Sequence, residues 1–321
     1  MKKVISIVII IGLTISVSKL AGDHFRYDLY HWAVDFETTK AGLVNKTAEI
    51  NGQQYFYLER NNPTATETVL LLHGFSADKT NWLRFVQALP DSYRVLALDL
   101  MGHGEHPVDL NTNYSIENQL TYVQRFITQH VQGPIHIIGN SMGGAIASLY
   151  AATSPDKVKS LMLISPAGVH NIASEMDKLL ADNTNPLIAD SVEQFYQVVD
   201  FVMEDGPFIP APVLKVQAEK AVERFALNQK IFTDIREDMN KNLDTRFSKI
   251  QAPTLILWGQ EDRVINSENI VRYAELIPNA SARLLEGIGH LAMLEVPEIS
   301  AQAFVQLSSR TINSQTSKQS D

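Results

Sequence analysis

Ile135-His136-Ile137-Ile138-Gly139-Asn140-Ser141-Met142-Gly143-Gly144-Ala145-Ile146-Ala147-Ser148-Leu149-Tyr150-Ala151-Ala152 is the stretch on which the reading of this chain turns. Its first four residues are a short apolar run of the kind that forms a buried strand, and the residues from Gly144 onward read as a helix with a small-residue face. Between them, Gly139-Asn140-Ser141-Met142-Gly143 must turn the chain sharply from strand into helix. A serine on so tight a turn brings the residues two before and two after it together, where only glycine avoids a clash. The pattern marks Ser141 as a candidate nucleophile.

Outward from that turn the chain reads as alternating strands and helices. Lys46–Ile50 and Gln53–Leu58 flank Asn51-Gly52, a hairpin signal. Thr68–Leu72 is an apolar strand running into His73-Gly74-Phe75, and Tyr93–Leu98 is the next, ending at Asp99 before Gly102-His103-Gly104. Ser115 caps a helix with Ile116, Leu120, Val123, Phe126 and Ile127 at helical spacing. Ser160–Ile164, Thr254–Trp258 and Ala282–Leu285 complete the strands. Strands apolar on both faces predict a mostly parallel sheet with helices on each side, an α/β fold. The rhythm changes over residues 168–250, where Ser191–Met203 and Val213–Leu227 predict helices and a Pro-rich bend, Gly206–Pro212, interrupts them. That segment reads as a helical cap inserted in a core made of residues 23–167 and 251–310, with a disordered polar tail at 311–321.

Composition narrows the function classes. The 321-residue chain carries a net charge of −9 and no basic cluster beyond its N-terminus, which argues against nucleic acid as a partner. With no cysteine there is neither disulfide nor thiolate chemistry. Met1-Lys2-Lys3 followed by the uncharged run Val4–Val17 has the form of a targeting segment, residues 1–22 being either a cleaved signal peptide or a retained membrane anchor. Export to the periplasm or medium, or membrane attachment, follows, and contact with a lipid surface through the N-terminus and cap would be apolar in an acidic protein.

Serine needs a base, and the base needs an orienting acid. His290, in Gly287-Ile288-Gly289-His290 after the last strand, is the candidate base. Asp262, just past Trp258-Gly259 at the end of the preceding strand, is the candidate acid, with Glu261 its local competitor. The N–H groups of Met142 and Phe75 are the candidate oxyanion donors. His103 and His106 flank Glu105, but without a third ligand they read as a solvated turn rather than a metal site. No metal or organic cofactor is called for. Phe195, Tyr196, Val199, Phe201, Val202, Met203, Phe208 and Ile209 line either an acyl slot or the core of the cap.

Leu71-Leu72-His73-Gly74-Phe75-Ser76-Ala77-Asp78-Lys79, Gly139-Asn140-Ser141-Met142-Gly143-Gly144, Pro253–Gly259 with Asp262, and Gly289-His290 together resemble the α/β-hydrolase family over nearly all of residues 46–308. Within it the chain is similar to bacterial lipases and membrane-anchored monoacylglycerol lipases. The resemblance implies a triad of Ser141, Asp262 and His290 with oxyanion donors Phe75 and Met142, in agreement with the residues read singly. It implies a serine carboxylic-ester hydrolase acting on acylglycerols or related lipid esters. Hydrolases that cleave carbon–carbon bonds of aromatic ring-fission products share the Gly-Asn-Ser-Met-Gly-Gly segment, but they usually carry Trp after the catalytic His, where this chain has Leu291. A binding protein that keeps the triad to sense a small ligand is the alternative outside enzymes.

Overall fold

The computed structural model describes residues 25–239 and 243–318; the targeting segment expected at residues 1–22 lies outside them. A helix, α1, spans residues 25–40. The chain then runs β1 (Val44–Ile50), β2 (Gln53–Arg60), β3 (Glu67–Leu72), α2 (Leu83–Gln87), β4 (Tyr93–Leu98), α3 (Ile116–His130), β5 (Ile135–Asn140), α4 (Met142–Thr153) and β6 (Val158–Ile164). Next come α5 (Glu175–Ala181), α6 (Val192–Val202), α7 (Ala211–Glu223), α8 (Phe225–Met239), β7 (Thr254–Gly259), α9 (Asn269–Leu276), β8 (Ala280–Leu285), α10 (Ala292–Glu295) and α11 (Pro297–Lys318).

The strands form one eight-stranded sheet in the order β1-β2-β4-β3-β5-β6-β7-β8. β2 pairs antiparallel with β1 and with β4, and every other pair is parallel. This is the α/β-hydrolase fold that the sequence predicts. Asn51 and Gly52 take φ of 53° and 78°, the left-handed pair that a two-residue hairpin turn demands. The apolar strands are buried on both sides by pleat alternation. Leu70 and Leu72 of β3 join the core under α3 and α4, whereas Val69 and Leu71 join the one under α2 and α11. Fully burying each such side chain stabilises the fold by roughly 1.5–3 kcal/mol. β8 departs from the pattern: it is an edge strand, exposed along most of its length, so the expectation of two apolar faces fails there.

The segment between β6 and β7 carries α5 to α8 and no strand among the described residues. The helix expected over Val213–Leu227 is two. It stops at Arg224, whose N–H folds back on the carbonyls of Lys220 and Ala221 and whose guanidinium reaches the carbonyls of Gly102 and His106. A tertiary contact outweighs the continuous helical periodicity. The tail expected from residue 311 also differs, because α11 continues to Lys318. Helix α1, which the sequence reading did not anticipate, packs Tyr30, Ala33 and Val34 against Val213 and Val216 of α7. No helix of the described residues is long and apolar enough to cross a membrane.

Candidate active site

β5 delivers Ser141 at φ 53° and ψ −120°, a conformation that costs a non-glycine residue on the order of 1–3 kcal/mol. Three hydrogen bonds hold it: its N–H donates to Ile164 O at 3.1 Å, and its carbonyl accepts from Ala145 N at 3.1 Å and Ala167 N at 3.0 Å. The glycines around it are sterically obligatory. A Cβ on Gly139 would lie 2.3 Å from Gly143 O, and one on Gly143 would lie 2.3 Å from Leu72 O.

Asp262 and His290 meet as the sequence predicts. His290 Nδ1 stands 2.7 Å from Asp262 Oδ2, with both side chains buried. The same Oδ2 accepts from Trp258 Nε1 at 2.9 Å, and Oδ1 accepts from the N–H groups of Val264 and Ile265 at 2.8 and 3.0 Å. A carboxylate so occupied on both oxygens is a fixed acceptor for Nδ1–H, which leaves Nε2 of His290 as the ring's basic nitrogen. Glu261, the competitor acid, makes no hydrogen bond to His290; its N–H donates to Ile288 O. The His290 loop is tied to the turn at Ser141, because Asn140, next to Ser141, donates from Nδ2 to His290 O at 3.2 Å and to Ile164 O at 3.0 Å.

The loop after β3 abuts the same turn. A Cβ on Gly74 would sit 3.2 Å from Ser141 Cβ, which sets Phe75 beside the serine. The N–H groups of Phe75 and Met142 donate to no acceptor among the described residues, and Met142 opens α4, where helix N–H groups are unspent. His73 fixes that loop. Its Nε2 accepts from Leu100 N–H at 3.0 Å, so the proton sits on Nδ1, which donates to Gly74 O at 2.7 Å. Burial lowers its pKa to about 4, so the ring stays neutral.

Several supporting residues escaped the sequence reading. Glu295 Oε2 accepts from the N–H groups of Glu204, Asp205 and Gly289 at 2.8, 2.9 and 3.0 Å, and its Oε1 accepts from Leu291 N–H at 3.2 Å. It thereby clasps the end of α6 to the loop carrying His290, whose own N–H donates to Val202 O at 2.9 Å. Buried Lys79 Nζ reaches Asp99 Oδ2 and Glu105 Oε1, each at 2.6 Å, bracing the loops beyond β3 and β4. Burial raises the Asp99 pKa to about 6 against the pull of Lys79. An acid five residues past the candidate histidine was a readable signal for Glu295; the Lys79–Asp99 pairing needed the fold. His103 and His106 are buried, not solvated as expected. His103 Nδ1 lies 3.1 Å from Met101 O and His106 Nε2 lies 3.0 Å from Tyr122 OH. No metal-holding cluster of acidic and histidine side chains occurs among the described residues.

The helical segment between β6 and β7 carries an open cavity of about 750 Å³ whose lining mixes Leu179, Ile188, Phe201 and Phe232 with polar side chains such as Asn183, Gln194 and Gln229. The ring of Phe232 lies 5.4 Å from that of Phe75, so one aromatic pair separates the cavity from the loop beside Ser141. Of the eight residues expected to line either an acyl slot or the core of the cap, Phe201 alone lines this cavity. Val199 and Met203 line a separate pocket of about 310 Å³ with Arg263 and Glu204, Phe208 is exposed, and Ile209 packs on α1.

A model of the alpha/beta hydrolase fold family matches residues 67–297. Lipase 1 of Psychrobacter immobilis is 33% identical over 275 residues, covering 84% of this chain and 86% of that protein. Monoacylglycerol lipase ABHD6 of Homo sapiens is 27% identical over 304 residues, 91% of this chain and 89% of its own. Among solved structures, a bacterial membrane phospholipase A described as a virulence factor superposes with a TM-score of 0.86 at 35% identity, covering 95% of this chain and 99% of that one.

Proposed function

The chain belongs to the alpha/beta hydrolase fold family, and on that footing we propose that it is a serine lipase or esterase cleaving acylglycerols or related lipid esters through an acyl-enzyme. The observation that carries this reading is the 2.7 Å contact of Asp262 with the His290 imidazole, on a loop whose His290 carbonyl accepts from Asn140, beside Ser141, at 3.2 Å. In the proposed mechanism His290 Nε2 takes the Ser141 hydroxyl proton as Oγ attacks the ester carbonyl. The N–H groups of Phe75 and Met142 receive the oxyanion, and the alcohol leaves with the proton from His290. Water then attacks the acyl-enzyme with His290 as base again, releasing the fatty acid and restoring the serine. Asp262 holds the imidazole in the Nδ1–H tautomer throughout. The lipases among its relatives support a lipid acyl chain as the group accepted, and Leu179, Ile188, Phe201 and Phe232 of the cavity offer apolar contacts for it. Residues 1–22 are proposed to export the chain or to tether it to a membrane.

The test is a panel of p-nitrophenyl esters of rising chain length beside mono-, di- and triacylglycerol, with a dienoate ring-fission product included. Ester turnover that Ser141→Ala lowers by roughly 10⁴-fold or more is the expected result. A variant that keeps the parental rate, or a preference for the dienoate, overturns it.

A further inference from the structure

Helix α1 turns an apolar stripe away from the protein. Leu29, Trp32 and Phe36 recur at the three-four spacing of one helix face, and all are exposed, Trp32 at 65% and Phe36 at 52%. The rings of Trp32 and Phe36 stack with centroids 5.5 Å apart. A further exposed aromatic lies on the element packed beside the helix. Phe208, on the Pro-rich bend of the cap, is 84% exposed, and its neighbour Ile209 packs with Tyr30, Ala33 and Val34 of α1. Exposed aromatics thus stand on two elements that pack together.

What covers it can be argued from its flanks. In a coiled coil with a second copy, the positions beside the stripe would have to meet the partner helix. Arg26 instead bonds Glu219 of α7 at 3.2 Å, and Ala33 packs into the cap. Phe208 would have no counterpart in a two-helix seam. The uncharged run Val4–Val17 precedes α1 in the sequence, and an acidic protein has nothing to offer anionic headgroups. Trp and Phe on a helix of mixed charge suit the boundary between headgroups and acyl chains.

We propose that the outer stripe of α1 together with Phe208 is the surface by which this protein sits on a zwitterionic lipid bilayer, its apolar side chains entering the headgroup–acyl boundary. The docking helix is bonded both to α2, where Gln87 donates to Glu37, and to α7 of the cap. Tyr27 OH donates to Glu219 at 2.8 Å, and Lys220 Nζ stands 4.2 Å over the Tyr30 ring. Docking therefore orients the cap, and the cavity it holds, relative to the lipid. The surface rests on the lipid-ester reading for its purpose but not for its geometry.

The chain supplies its own probe. Of its three tryptophans, Trp82 and Trp258 are 0% exposed, and only Trp32 lies on this face. The full-length protein is mixed with phosphatidylcholine vesicles, with and without brominated acyl chains, and tryptophan fluorescence is followed with acrylamide as the aqueous quencher. The expected result is quenching by brominated chains and loss of acrylamide access, both abolished in Trp32→Phe. The double variant Trp32→Glu/Phe36→Glu should reduce the vesicle-bound fraction roughly tenfold or more, while hydrolysis of a short soluble ester in lipid-free buffer stays at the parental rate. Vesicle-bound protein in which Trp32 keeps its full acrylamide access overturns the proposal. So does protection of Trp32 that rises with protein concentration in the absence of lipid, which would make a second copy the occupant. Lipid-dependent quenching in a protein that hydrolyses no ester would sink the enzymatic reading and leave the docking surface standing.

Discussion

Replacing Glu295 by Gln tests whether the cap and the His290 loop are held as one unit. The carboxylate accepts four backbone N–H groups, three on Oε2 and one on Oε1, from segments some 85 residues apart. An amide keeps one acceptor oxygen and turns an NH₂ group toward whatever donor the other oxygen served. In the better flip, the oxygen keeps the three-donor position and Leu291 N–H faces the NH₂. One bond is then lost outright and three become neutral rather than charge-assisted. At roughly 0.5–1.5 kcal/mol for a neutral bond and 1.5–3 for one to a charge, and allowing for a site that is only half-buried, the loss is about 2 kcal/mol. For a domain of this size that lowers Tm by about 5 °C. If the clasp positions His290, the loop shifts as well, and a displacement on the order of 1 Å costs up to about 10²-fold in turnover. The assay is kcat and KM for p-nitrophenyl butyrate well below the variant's Tm. A fall in kcat of roughly 10- to 100-fold with KM little changed is expected. A variant with lowered Tm but parental kcat would refute the reasoning, since the clasp would then serve stability alone.

Two further outcomes follow from the same region. Gly143→Ala should destabilise the fold by about 3 kcal/mol or prevent folding, because the new Cβ meets the backbone oxygens of Leu72 and His73 at 2.3 and 2.5 Å; a urea midpoint equal to the parent's would contradict it. Stability should fall as pH drops from about 6.5 toward 4, because burial holds His73 and His106 at about 4 and His103 well below its ordinary value, while in the unfolded chain each takes up a proton near 6.5. Asp99, raised to about 6, works the other way: it binds its proton in the native state first and so favours the fold as pH falls from 6 toward 3.8. Three histidines against one carboxylate make loss the net direction, and urea midpoints that stay level between pH 7.5 and 4.5 would show the histidines to be charged in the native protein.

The elements legible in the sequence were those whose signal is local. Asn51-Gly52 demanded its turn by backbone conformation alone, and the glycines around Ser141 and the order of Ser141, Asp262 and His290 pointed to the candidate site by chemistry. What stayed hidden depends on partners distant in the chain. The break at Arg224 exists because Gly102 and His106 offer carbonyls to its side chain. Phe232 stands beside Phe75 only because α8 crosses the loop after β3. Helix α1 eluded the reading because two apolar stripes, one facing the cap and one facing outward, blur the amphipathic period.

The cap's second half is gripped from below. Arg224 holds Gly102 O and His106 O, Asn228 donates to Ser76 Oγ, and Asp234 accepts from Tyr114 N–H at 2.9 Å. Anyone recombining this chain with a relative at the seams on either side of residues 168–250 would sever these attachments while leaving the polypeptide intact. A chimera that is to keep its shape must import residues 76 and 100–115 along with the graft, so the unit of exchange is larger than the insertion.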